Sequence, residues 1–182
     1  MAYINLIILN LILCCTLGVK RPNDAPIDNY TINFKIKNAG STVTGSFTGL
    51  KLKYSFDEDN LNTSFFEGIL AVSSIKTGID MRDRHLKKSE YFNVSSFPEI
   101  TLKTSKIEKE SGNNYKITGK LSIKGITKTI TVPATIIDKD KFLLITSQFD
   151  LNRLDFGLGY PSIVMAKNVL VFIEMKMNRN EK

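Results

Sequence analysis

After residue 27 the chain alternates apolar and polar positions with a period of two, the period of a β-strand, in which successive side chains point to opposite faces. Tyr30, Ile32, Phe34 and Ile36 alternate with Thr31, Asn33, Lys35 and Lys37. Val43, Gly45 and Phe47 follow, and then Leu50, Leu52, Tyr54 and Phe56 alternate with Lys51, Lys53 and Ser55. Phe66, Gly68, Leu70 and Val72 continue the pattern, and Ile100 and Leu102 face one way. Tyr115, Ile117, Gly119, Leu121 and Ile123 oppose Lys116, Thr118, Lys120, Ser122 and Lys124, while Ile126, Ile130 and Val132 oppose Thr127, Thr129 and Thr131. Phe149 and Leu151 mark a penultimate strand, and Val169, Val171, Ile173, Met175 and Met177 a last one.

Polar turns separate these runs: Asn38-Ala39-Gly40, Asp57-Glu58-Asp59-Asn60, Ser111-Gly112-Asn113-Asn114, Gly125 and Asp138-Lys139-Asp140. Short strands punctuated in this way pair antiparallel in a meander. About eight strands, each with one apolar face, predict an all-β domain, barrel or sandwich; a barrel of ~8 strands is just wide enough to be filled by side chains or to hold one small ligand. Pro133 is expected at a strand end or a sheet edge, because it has no N–H for a ladder. The segment Asp80-Met81-Arg82-Asp83-Arg84-His85-Leu86-Lys87-Lys88-Ser89-Glu90 breaks the period. It predicts a short helix near residues 80–90 in a long connection, with Asp80 as N-cap and Asp83 in the capping-box position.

Residues 1–18 are different in kind. They carry no charged side chain, and Leu6 to Leu17 is apolar apart from Asn10 and Thr16. A run of about a dozen residues is too short for a bilayer core, which takes ~20, and fits the apolar region of a signal peptide. Thr16-Leu17-Gly18 offers small residues for ordinary cleavage, whereas Ile12-Leu13-Cys14-Cys15 resembles a loose lipobox with Cys15 as the candidate for lipidation. The expectation is an exported protein of the periplasm or cell envelope, with a lipid anchor left open. Residues 19–27 read as a tether, 28–177 as one domain and 178–182 as a polar tail.

Composition narrows the chemistry. Both cysteines lie in the leader, so the domain has no internal disulfide. His85 is the one histidine, which leaves too few soft ligands for a zinc site and a single imidazole for any nucleophilic device. The net charge of +7 permits attraction to anionic surfaces without naming one. Lys116, Lys120 and Lys124 share an outward face, either a solvated surface or one that meets a membrane. They are not interleaved with exposed aromatics, which argues against nucleic acid.

The order of motifs is informative. Ile32-Asn33-Phe34-Lys35-Ile36-Lys37-Asn38-Ala39-Gly40 and Val43-Thr44-Gly45-Ser46-Phe47-Thr48-Gly49 open the domain. Ser74-Ile75-Lys76-Thr77-Gly78 leads into Met81-Arg82-Asp83-Arg84-His85-Leu86-Lys87-Lys88-Ser89-Glu90-Tyr91-Phe92, followed by Phe97-Pro98-Glu99-Ile100-Thr101-Leu102. Gly119-Lys120-Leu121-Ser122-Ile123-Lys124-Gly125-Ile126-Thr127-Lys128 precedes Val132-Pro133, and Asn152-Arg153-Leu154-Asp155-Phe156-Gly157 comes near the end. This series resembles the YceI family of bacterial exported proteins over residues 28–177. The resemblance implies a single antiparallel, lipocalin-like β-barrel with a helix near its mouth. It also implies an isoprenoid lipid ligand, of polyprenol or quinone type, inside the barrel, and no established catalysis; no catalytic residue, cofactor or metal is expected. Gly68 stands where such proteins often have a bulky residue, and on an inward face it would widen a cavity locally.

A polyprenyl chain needs an apolar tunnel and few polar groups at its head. The inward-facing candidates for the lining are Phe34, Phe47, Phe66, Leu70, Leu102, Tyr115, Leu121, Phe149, Val171 and Ile173. Arg82, Asp83, His85, Lys128, Arg153 and Asp155 form the candidate polar cluster at the mouth; Arg153 and Asp155 are two apart and would share a strand face, and Lys128 falls on the apolar side of its alternation. His85 is read as anchoring the helical segment or touching a ligand head. The predicted function is non-catalytic binding for carriage, storage or stress protection, with membrane-surface association and a homodimer both open. Two other readings compete: an enzyme acting on a small hydrophobic substrate with His85 and Arg153 at the mouth, and a fully packed structural module.

Overall fold

Every alternating run becomes a strand, because each presents one apolar face that only a shared interior removes from water. The structure is a computed structural model and describes residues 29–139 and 141–178. The readings made for the leader, Cys15, the tether and residues 179–182 lie outside the described residues. The strands are β1 (Tyr30–Asn38), β2 (Ser41–Phe47), β3 (Leu50–Ser55), β4 (Phe65–Ala71), β5 (Glu99–Ser111), β6 (Asn114–Ile123), β7 (Ile126–Lys139), β8 (Phe142–Asn152) and β9 (Asn168–Asn178). β9 takes in Asn178, which the sequence reading gave to the tail.

These strands form one antiparallel sheet of nine, one more than expected, in the order β2-β1-β9-β8-β7-β6-β5-β4-β3. β2 and β3 stand at its two ends, so the sheet curls into a half-barrel. The outer edge of β2 is not bare: Ser46 and Lys76 exchange backbone hydrogen bonds of 2.8 and 3.0 Å. Covering an edge in this way blocks the pairing with other chains that exposed edges invite.

The predicted helix is α1, Asp80–Leu86. Its N-cap is Ile79 rather than Asp80. Asp83 still reaches back, since its Oδ1 accepts from the Thr77 N–H at 2.8 Å and from the Thr77 hydroxyl at 2.5 Å. Four positions differ from expectation. Pro133 lies inside β7, opposite Lys116 of β6. It is tolerated because β7 pairs with β8 only from Thr135 onward, so Pro133 stands in the stretch whose second flank has no ladder. Arg153 and Asp155 belong to a 3-10 turn, Arg153–Phe156, and not to a strand. Lys124 lies past the end of β6 with φ 48°, in the turn before Ile126.

The interior has a packed end and a hollow one. Tyr54, Phe56, Phe66, Tyr115, Ile136, Leu143 and Met177 belong to one buried cluster, with Phe56 edge-on to Tyr115 at 5.7 Å. Phe156 and Leu158 pack with Leu121 and Ile123 in a second buried cluster. Above these, the sheet encloses a space.

An apolar cavity under a polar mouth

Register decides which inward side chains meet. Across β3 to β7, Leu52, Gly68, Leu102, Leu121 and Lys128 form one continuous cross-strand row. Across β2, β1, β9 and β8, Gly45, Phe34, Val171 and Phe149 form another. Apart from Gly45 and Lys128, the members of both rows line one cavity of about 380 Å³, within the ~300–1,000 Å³ typical of small-molecule sites. Along β9 the lining runs from Val169 to Met175, on the order of 20 Å at the usual rise of a strand. The walls are aliphatic and aromatic. Ser147 is a polar exception, and its hydroxyl is occupied by donating to the Pro133 carbonyl at 2.6 Å.

Of the residues selected from sequence for this lining, Phe34, Phe47, Phe66, Leu70 and Leu102 border the cavity. Leu121, Phe149, Val171 and Ile173 do so as well. Tyr115 does not: it faces inward, but at the packed end, 1% exposed. Its burial pushes the phenol above its usual range, with the charge of Glu58 acting in the same direction. Gly68 borders the cavity, and a Cβ there would sit 3.6 Å from Leu50 Cδ1, an ordinary contact.

Sequence reasoning missed Tyr91 and Phe92, which come from the connection after α1. Phe92 meets Phe47 edge-on at 6.0 Å and packs over the cavity end beside Leu86 and Ile75. Tyr91-Phe92 belongs to the family-like motif, but a loop has no period to tell which way its rings point.

The mouth residues divide into separate groups. Arg82 lines the cavity while its Nε and Nη2 donate to the Thr77 hydroxyl and carbonyl at 2.8 and 2.7 Å. Asp83 is buried on the same threonine, whose hydrogen bonds hold its carboxyl below the usual range. His85 also lines the cavity, with its ring against Tyr91 at 5.1 Å. Arg153 is 2% exposed and borders the cavity from beneath the next loop. Its guanidinium donates to the carbonyls of Ala166 (2.9 Å), Leu158 (2.7 Å), Tyr160 (2.9 Å) and Met165 (3.5 Å). Asp155 points outward, accepting from Asn152 at 3.2 Å. Lys128 ends the inward row of Leu121 but is exposed, with its Nζ 3.9 Å from Asp155. The single polar cluster expected from sequence is therefore not formed: Arg82, His85 and Arg153 reach the cavity, while Asp83 supports α1 and the Lys128–Asp155 pair lies outside.

The outward lysine row is also broken up. Lys116 pairs with Glu110 at 2.6 Å, and Lys124 donates to the Gly157 carbonyl at 2.6 Å. Among the described residues no group of three or more His, Asp or Glu side chains gathers as metal ligands.

Sequence relatives and solved structures of the same fold are known. A UPF0312 protein of Pectobacterium atrosepticum is 35% identical over 107 residues, 58% of this chain and 55% of that one. A Protein YceI of Salmonella arizonae is 33% identical over the same length, 58% of this chain and 56% of its own. The chain thus spans about half the length of the curated relatives it matches. The crystal structure of BcnA from Burkholderia cenocepacia superposes with a TM-score of 0.79 at 22% identity, covering 84% of this chain and 99% of that one. A polyisoprenoid binding domain from Saccharophagus degradans, implicated in plant cell wall breakdown, superposes with a TM-score of 0.64 at 13% identity, covering 82% and 94%. Residues 26–177 match the YceI-like domain, and with the curled sheet and motif order described above they show that the chain belongs to the YceI-like domain family.

Proposed function

We propose that the protein binds the hydrocarbon chain of an isoprenoid lipid, a polyprenol or an isoprenoid quinone, inside the cavity. The observation that carries this is a space of about 380 Å³, walled almost wholly by hydrocarbon and elongated along the strands. Contact over ~300 Å² at about 25 cal/mol per Å² contributes roughly 7 kcal/mol before the costs of association. The polar head stays at the end where Arg82, His85 and Tyr91 border the opening. The Saccharophagus domain, named for polyisoprenoid binding, has the same fold and supports this choice of ligand. The role is binding, not catalysis, and it serves carriage, storage or stress protection in the cell envelope, to which the apolar leader directs the chain.

Native mass spectrometry of the protein isolated from its own host tests this. The expected result is a mass increment that organic solvent removes and that added polyprenol or quinone restores. Protein that carries no lipid and takes up neither compound sinks the proposal.

A further inference from the structure

The loop that leads into β9 carries apolar side chains that no described residue covers. Tyr160 is 72% exposed, Val164 56%, and Ile163 fully exposed. The backbone beneath them is fixed. Arg153 holds it from inside through the carbonyls of Leu158, Tyr160, Met165 and Ala166. From the side, the Ala39 N–H donates to the Val164 carbonyl at 2.8 Å and the Ala166 N–H to the Lys37 carbonyl at 2.9 Å. Met165, the next residue, lines the cavity, so this ridge is the outer side of the cavity wall. Tyr91 lies against Gly159 and against His85 of α1, which links the ridge to the helix across the mouth. On that helix Met81 is 73% exposed.

The surrounding charge has one dominant sign. Lys37 and Lys167 flank the anchor points of the ridge, and Arg82, Arg84, Lys87 and Lys88 belong to or follow α1, against the carboxylates of Asp80, Asp83 and Glu90. Exposed aliphatic and aromatic side chains flanked by lysines match a bilayer with anionic headgroups, where apolar groups enter the acyl boundary and lysines meet phosphate. A second copy fits poorly, because an isologous contact would set the same cations against one another.

We propose that this ridge is a membrane-docking surface: Tyr160, Ile163 and Val164 enter an anionic leaflet, Lys37 and Lys167 contact lipid phosphates, and the cavity mouth is brought to the bilayer. This gives the lipid-holding reading its source of ligand and rests on that reading only for its purpose.

The full chain contains no tryptophan, so Ile163→Trp provides a single reporter and Lys120→Trp, on the outward face of β6, a matched comparison. With phosphatidylglycerol–phosphatidylcholine vesicles, the emission at position 163 should shift to the blue and be quenched by brominated acyl chains, less so in high salt, while position 120 should not respond. Replacing Tyr160, Ile163 and Val164 together by serine should slow polyprenol transfer from these vesicles by about tenfold. Uptake from detergent solution, and thermal stability, should be unchanged. Emission at position 163 that ignores vesicles, or that position 120 reproduces, overturns the docking surface, as does a serine variant that only abolishes self-association. Insertion at position 163 with no polyprenol uptake from either source leaves docking standing and removes the lipid-holding reading.

Discussion

Arg153 places a guanidinium at 2% exposure with carbonyl oxygens as the partners that hold it. Removing it leaves the buried Leu158 carbonyl and the part-buried carbonyls of Tyr160 and Ala166 without this donor, and a buried group left unpaired costs about 1–3 kcal/mol. Arg153→Met should therefore lose roughly 2–4 kcal/mol in urea unfolding. Arg153→Lys should recover only part of this, because an ammonium cannot span the fork that reaches Leu158, Tyr160 and Ala166. Asp83 makes a different kind of prediction. Its folded carboxyl lies below the ordinary 3.8 because Thr77 hydrogen-bonds the charged form. A depressed acid contributes stability that is fully present above its unfolded value and is lost as pH falls through the folded one. Urea midpoints measured between about pH 2 and 7 should thus fall less steeply below pH 4 in Asp83→Asn than in the wild type, with Asp83→Asn the less stable at neutral pH. Equal slopes for the two proteins would show that the Thr77 contact contributes nothing. Tyr115 shows the limit of reading single positions. Parity put it on the inward face correctly, but depth along the strand, set by Phe56 and the packed end, took it away from the cavity.

At the scale of elements, two inward glycines behave in opposite ways. A Cβ at Gly45 of β2 would lie 2.2 Å from Phe34 Cζ and 2.9 Å from the Lys76 carbonyl oxygen. Gly45→Ala must displace the Phe34 ring and loosen the strip that covers the edge of β2, and a loss of about 1–3 kcal/mol is expected from thermal unfolding. At Gly68 of β4 the nearest atoms are 3.6 and 3.8 Å away, so Gly68→Ala should be neutral or stabilising by ~0.5–1 kcal/mol. Gly68→Leu should keep the fold and weaken polyprenol binding roughly tenfold by filling cavity space, an effect of about 1.4 kcal/mol. A leucine variant that binds as well as the wild type would place the ligand elsewhere. The short helix was legible from the break in period, yet its cap was off by one residue, because the Asp83–Thr77 contact holds that end and Asp80 does not.

At the scale of the whole molecule, a half-barrel that encloses an apolar space is stabilised by whatever fills it. At a lipid concentration a hundred times Kd, the linkage is ~2.7 kcal/mol, or roughly 5–10 °C in the midpoint of a domain this size. Delipidation followed by reloading should move the thermal midpoint down and up by that amount, and a midpoint indifferent to lipid would argue for a space that stays dry and unused. The sequence by itself determined the strands, their antiparallel pairing, the helix and the inward side of each strand. Period and turn chemistry are local, and one slip of register would turn every apolar side chain to water. The motif order also carried the family. Only the tertiary structure decided that the interior is solid around Tyr115 and hollow beside Gly68, that Arg153 supports a loop instead of pairing with Asp155, and that Tyr91 and Phe92 close over the space. Those outcomes depend on where the sheet parts between β7 and β8 and on which loops pack back onto it, contacts made between segments far apart in the chain.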